Sequence, residues 1–152
     1  MKITLTSNEY AQAVLPALFN VLRGHHNNRR TDHGKKSKRG VTKRFGDGVI
    51  GYCGELVVAK YLNLPWTPGD RFPTTGDVNN QIEVRTTYYE NGHLLIYDVD
   101  DDDVIFYLVR GDYPTLEIVG YILGGDAKRP EWWRDGDPPC YWVPDSALTL
   151  VK

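Results

Sequence analysis

The sequence predicts one α/β (α+β) domain, with helices first and a sheet after them. Three observations carry this. Apolar residues recur at helical spacing in two stretches within residues 4–63. Past residue 81 the pattern changes to short runs rich in Val, Ile, Tyr and Thr, separated by Gly, Asn, Asp and Pro. That is how strands and turns read. Finally, 152 residues are enough for one core and too few for two comfortable ones.

The first helix is expected within residues 4–23. Thr6-Ser7-Asn8-Glu9 fits a capping box, a hydroxyl cap with Glu three residues on. Tyr10, Val14, Leu15, Leu18, Phe19 and Leu22 follow at helical spacing and predict a broad face packed on the body. Pro16 predicts a kink or a split. Residues 24–47 carry almost no apolar residue and read as a loop. A second helix is expected over 48–63, where Val49, Tyr52, Cys53, Leu56, Ala59 and Leu62 form one stripe. Glu55 lies off that stripe, with Gly51 and Gly54 nearby. Each glycine costs a helix about 1 kcal/mol relative to Ala, so two within a turn point to close approach of another backbone or a ligand. Asn63-Leu64-Pro65 ends the helix.

The stretch from Gly76 to Thr87 reads as a tight hairpin. Asn79-Asn80 is its turn, because Asn tolerates positive φ. Beyond it Gln81, Glu83 and Arg85 alternate with Ile82, Val84 and Thr86, so Glu83 and Arg85 share one face of a strand. The turn length decides where Asp77 goes. Two residues send it away from Glu83; three residues, a bulge, or Asp77 at a twisted strand end bring the two acids together.

Asn91-Gly92 marks the next turn, and Leu94 to Tyr97 the next strand. Asp98, Asp100, Asp101, Asp102 and Asp103 lack the glycine and terminal glutamate of an EF-hand loop and read as a solvated turn. Val104 to Val109 is uninterrupted apolar sequence, hence a central strand buried on both faces. Thr115 to Ile122 is its partner, ended by Gly124-Gly125. The Trp- and Pro-rich tail over 126–152 reads as a lid on the core.

Net charge is −2, but unevenly placed. Between Arg23 and Arg44 stand nine Lys and Arg, half of the chain's 18, against one acid, Asp32. A basic arm on an acidic body favours a polyanion. Arg29, Arg30, Lys35, Lys36, Lys38, Arg39, Lys43 and Arg44 are the expected nucleic-acid contacts. No apolar run nears the roughly 18 residues of a membrane span. The N-terminus lacks a basic region followed by an apolar block, and Cys53 and Cys140 are not at metal-ligand spacing. A cytoplasmic chain with free thiols is expected.

Hard cations such as Mg²⁺ take oxygen ligands. Asp77, Glu83 and the Val84 carbonyl are candidates for them, with Glu55 as a third acid and Arg85 set to stabilise phosphate charge. Gly54-Glu55 within Gly51 to Ala59, then Asp77, then Glu83-Val84-Arg85 followed by Thr86, resemble the PD-(D/E)XK nuclease superfamily. The likeness is to its small phage-type and resolvase- or restriction-like members, and covers about residues 48–122. It implies a mixed central sheet flanked by helices, a restriction-endonuclease-like core in αβββαβ order. It also implies hydrolysis of DNA phosphodiesters with Mg²⁺ or Mn²⁺. Asp77 and Glu83 would be the metal ligands and Glu55 the helix acid, with Arg85 where the family has lysine. The resemblance leaves room for a homodimer, and for the host's cytoplasm as the setting if the chain is phage-encoded. Arginine stays protonated near neutral pH, so Arg85 is no base. The family's helix after the motif strand is missing or shrunk, its place taken by Asn91-Gly92 and the aspartate run. A second reading follows: a nuclease fold kept as a scaffold that binds nucleic acid or a host protein.

Overall fold

The computed structural model describes residues 1–26, 40–68 and 77–151. Within them a mixed sheet runs β1 (Lys2–Thr4), β5 (Thr115–Leu123), β4 (Ile105–Asp112), β2 (Ile82–Thr87), with β8 (Thr149–Leu150) also on β5. β2 lies parallel to β4, while β5 is antiparallel to β4 and β1. Helices α1 (Ser7–His26) and α2 (Val41–Leu62) cover one face. The other is covered by a second sheet, β3 (Leu94–Ile96), β7 (Cys140–Val143) and β6 (Trp133–Arg134). The α/β class and the mixed sheet are as the sequence predicts; the second sheet and β1 are not foreseen in it. A parallel pair needs a crossover of a dozen or more residues. Here the chain between β2 and β4 makes that crossover through β3, which leaves for the second sheet, with no helix along the way.

β4 is the central strand. Phe106, Tyr107, Leu108 and Val109 are all buried, and consecutive side chains alternate between layers. Tyr107 and Val109 join the helical layer with Val57, Val58 and Ile118; Phe106 and Leu108 join Leu94, Ile96 and Val143. The Trp- and Pro-rich tail thus supplies two of the three strands of the second sheet.

α1 starts as its capping box predicts. Glu9 N–H donates to Thr6 Oγ1 (3.3 Å), and Thr6 N–H donates back to Glu9 Oε2 (2.7 Å). The helix runs unbroken through Pro16. The carbonyl that Pro16 orphans belongs to exposed Gln12, where water can reach it. The buried stripe also differs from the expected one. Ala13, Ala17 and Val21 face the core, with Tyr10 and Val14 partly buried, while Leu15, Leu18, Phe19 and Leu22 are exposed. Small residues let α1 lie close to α2, where Gly48 faces Ala17.

The segment read as a loop over 24–47 is helical at both ends, since α1 reaches His26 and α2 begins at Val41. Tertiary packing extends α2 two turns beyond its apolar stripe. Arg29, Arg30, Lys35, Lys36, Lys38 and Arg39 lie outside the described residues. α2 ends as expected: Asn63 adopts left-handed φ 53°, and its N–H reaches Lys60 O. No described helix is long and apolar enough to cross a membrane. Cys53 and Cys140 are buried free thiols, and burial, with Asp112 nearby, pushes Cys53 up to about 11. It is therefore protonated and unreactive near neutral pH.

Lys60 Nζ reaches from α2 to Glu9 Oε1 (2.7 Å), tying the two helices. That hydrogen bond, with the one from Thr6 N–H, lowers the Glu9 pKa from 4.5 to about 2. A lowered folded-state pKa contributes stability above the unfolded value, lost as pH falls through the folded one. Glu9→Gln is therefore expected to cost about 1 kcal/mol at pH 7, after allowing for solvent screening at this partly exposed pair. The deficit should shrink between about pH 4.5 and pH 2. Urea melts of both chains at pH 7 and pH 2.5 measure it; an equal deficit at both pH values would rule the pair out as the source.

Candidate functional site

Among the described residues β2 is an edge strand, and its beginning is shaped by the Asn79-Asn80 turn. Val78 and Ile82 exchange both backbone hydrogen bonds (3.0 and 3.2 Å). The loop between them has three residues, with Asn79 at φ 52° and Asn80 at φ 56°. Asp77 and Glu83 are the next residues out from that isolated bridge, and both act on the charge of Arg85. This is the three-residue alternative, in which the two acids lie toward one side. Asp77 Oδ2 accepts Val84 N–H (2.9 Å). A residue's N–H and C=O leave a strand on the same edge, so the Val84 carbonyl also faces this outer edge.

Along β2, Ile82 and Val84 turn to the helical layer. Glu83 and Arg85 turn to the opposite face, where their β4 neighbours are Phe106 and Leu108. Arg85 is the hub of that face. Its Nη1 donates to Glu83 Oε2 (3.1 Å), and Nη2 donates to both Asp100 oxygens (3.3 and 3.2 Å). Its guanidinium carbon lies 5.5 Å from the Phe106 ring centroid. Burial works against the charged guanidinium, but Asp100, Glu83 and Asp77 outweigh it and hold its pKa above the ordinary value.

Asp100 is the residue that sequence reasoning missed. It stands in a run of near-equivalent aspartates with nothing local to single it out. Its placement comes from two distant parts of the chain. Tyr97 N–H donates to Asp100 Oδ2 (2.9 Å). From beyond β5, Lys128 Nζ donates to the carbonyls of Asp98 (3.0 Å) and Asp100 (2.6 Å) and pairs with Asp102 Oδ1 (2.6 Å). The aspartate loop therefore wraps an ammonium of its own chain and holds Asp100 on Arg85; it is not simply a solvated turn. Helix α3 (Gly124–Ala127) presents Gly124 and Gly125 to this loop, and Gly125 N–H donates to Asp102 O (2.9 Å).

Glu55 is buried, 9% exposed, rather than solvated. Trp66 Nε1 donates to its Oε2 (3.1 Å), which offsets part of the cost of a buried carboxylate. It sits on α2 beside Gly54, whose missing Cβ makes room for Thr86 of β2. The close approach expected of the paired glycines is real at Gly54, and made by a side chain; a Cβ at Gly51 would touch nothing within 4 Å. Among the described residues no group of three or more His, Cys, Asp or Glu could hold a metal ion. Glu55, Asp77 and Glu83 thus do not close on one point in this conformation. What the outer edge of β2 does offer a hard cation is oxygen chemistry: the Asp77 and Glu83 carboxylates and the Val84 carbonyl, with Arg85 already drawn to Glu83.

Of the expected nucleic-acid contacts, Lys43 and Arg44 are described. Lys43 pairs with Asp47 (3.4 Å) and lies 5.9 Å from the Tyr88 ring centroid; Arg44 is half-buried on α2. Compared with known proteins, the chain matches no family model, no curated protein and no solved structure.

Proposed function

We propose that the chain is a nucleic-acid-processing protein of nuclease type, and in particular a divalent-metal-dependent DNA phosphodiester hydrolase. The observation that carries this reading is the three-residue turn that brings Asp77 onto Val84 N–H and, with Glu83, within reach of the Arg85 charge. Asp77, Glu83 and that carbonyl would hold Mg²⁺ or Mn²⁺, which supplies Lewis acidity and lowers the pKa of water. Arg85 keeps its charge at all relevant pH and stabilises negative charge developing on the phosphate. The basic segment leading into α2 draws in the DNA backbone. The expected result is nicking of supercoiled DNA with Mg²⁺ or Mn²⁺ and none with chelator. Cleavage indifferent to chelator rules out the metal-dependent reading.

A second reading has its own observation. Glu83 and Asp100 both hold Arg85, so the charge a cation would bring is already supplied by the chain. On that reading the protein binds nucleic acid or a host protein without cutting. Tight, salt-dependent DNA binding with no cleavage under any metal condition selects it.

A further inference from the structure

We infer that Tyr88 and Tyr89, beside Lys43, form a stacking platform for an unpaired base of the nucleic acid that this protein engages. The inference deepens the proposed function and rests on nucleic acid being the partner. Both tyrosines are exposed, 44% and 62%, immediately beyond the strand that carries Glu83 and Arg85. Their ring centroids are 4.3 Å apart, and their hydroxyls are hydrogen-bonded at 3.0 Å. Two large rings left to solvent at the end of a strand do nothing for the core.

The turn that presents them is braced. Tyr89 N–H donates to Thr87 Oγ1 (3.2 Å), and Gly92 N–H donates to Tyr89 O (3.0 Å). Arg110 reaches across from β4 and grips Gly92 O with Nε (3.0 Å) and Nη2 (2.6 Å). Asp145 in turn holds Arg110 through two bonds of 2.7 and 2.6 Å. The ordering cost of these rings is therefore met before any ligand arrives.

The occupant follows from charge. Lys43 sits over Tyr88 and pairs with Asp47 at 3.4 Å, an exposed pair that a phosphate can compete with, and α2 has no acid in its first turn. The sequence entering α2 is the most basic in the chain. Aromatic faces next to cations suit a strand whose bases are free to stack while its phosphates meet the lysine. In a duplex the bases are already stacked on each other, so the platform favours single-stranded, frayed or bulged substrates.

The test is fluorescence anisotropy of labelled oligothymidine and of a matched blunt duplex with the full chain, in chelator so that nothing is cut. The wild type is expected to prefer the single strand. Tyr88→Ala/Tyr89→Ala should weaken single-strand binding by about 10-fold or more with an unchanged salt slope. Tyr88→Phe/Tyr89→Phe, which keeps the rings, should bind like wild type. Lys43→Gln should weaken both ligands alike and lower the salt slope by about 1. If the alanine pair binds like wild type, or the wild type favours the duplex, the platform is refuted while the nuclease reading stands. If the wild type binds neither oligonucleotide, both fail together.

Discussion

Asp77→Asn and Glu83→Gln are each expected to slow DNA cleavage by at least about 100-fold with the fold unchanged. The substitutions are chosen for what they leave in place. An amide oxygen at position 77 can still accept Val84 N–H, and one at position 83 can still accept from Arg85. Each removes only the negative charge from the outer edge of β2. Single-turnover cleavage with Mn²⁺, alongside a thermal melt of each variant, separates lost chemistry from lost structure. Lost cleavage with an intact melt places the chemistry at this edge. Wild-type rates in both variants would move it elsewhere and leave Asp77 as a turn residue and Glu83 as the partner of Arg85.

The same change at two glycines of α2 should have opposite signs. Gly51→Ala is expected to stabilise the chain by about 1 kcal/mol, because a Cβ there meets nothing and the helix loses a flexible residue. Gly54→Ala is expected to destabilise by about 2 kcal/mol. Its Cβ would run into Thr86 Oγ1, with Thr86 Cβ itself only 3.0 Å away, so helix and strand must part. Thr86→Ala in the Gly54→Ala background should recover most of the loss. It removes the colliding hydroxyl, which is buried without a hydrogen-bond partner among the described residues. Denaturant melts of the four chains complete the cycle. Additive effects at positions 54 and 86 would show that the two residues do not meet.

Several parts of this molecule are legible in the sequence because they depend on near neighbours. The Thr6–Glu9 box starts α1, Asn63 stops α2, and the apolar run in β4 is buried on both faces, as local pattern predicts. So is the shared face of Glu83 and Arg85, since strand alternation alone dictates it. Other parts need the whole fold. The buried stripe of α1 escapes local pattern because alanines against α2, rather than the larger leucines, face the core. Pro16 does not break the helix, since packing on α2 and an exposed carbonyl absorb the lost bond.

The candidate site divides the same way. Sequence by itself determined which side chains could bear the chemistry: two acids around an Asn turn, an arginine two residues on, and a basic segment ahead of them. Tertiary structure alone decided how they stand. The turn closed with three residues, and Asp77 came to accept Val84 N–H. Glu55 was drawn into the interior under Trp66. Asp100, one aspartate among several, was set against Arg85 by a lysine 28 positions away. The physical reason is range: backbone periodicity acts over a few residues, whereas charge pairing and burial act between whichever segments the sheet brings together.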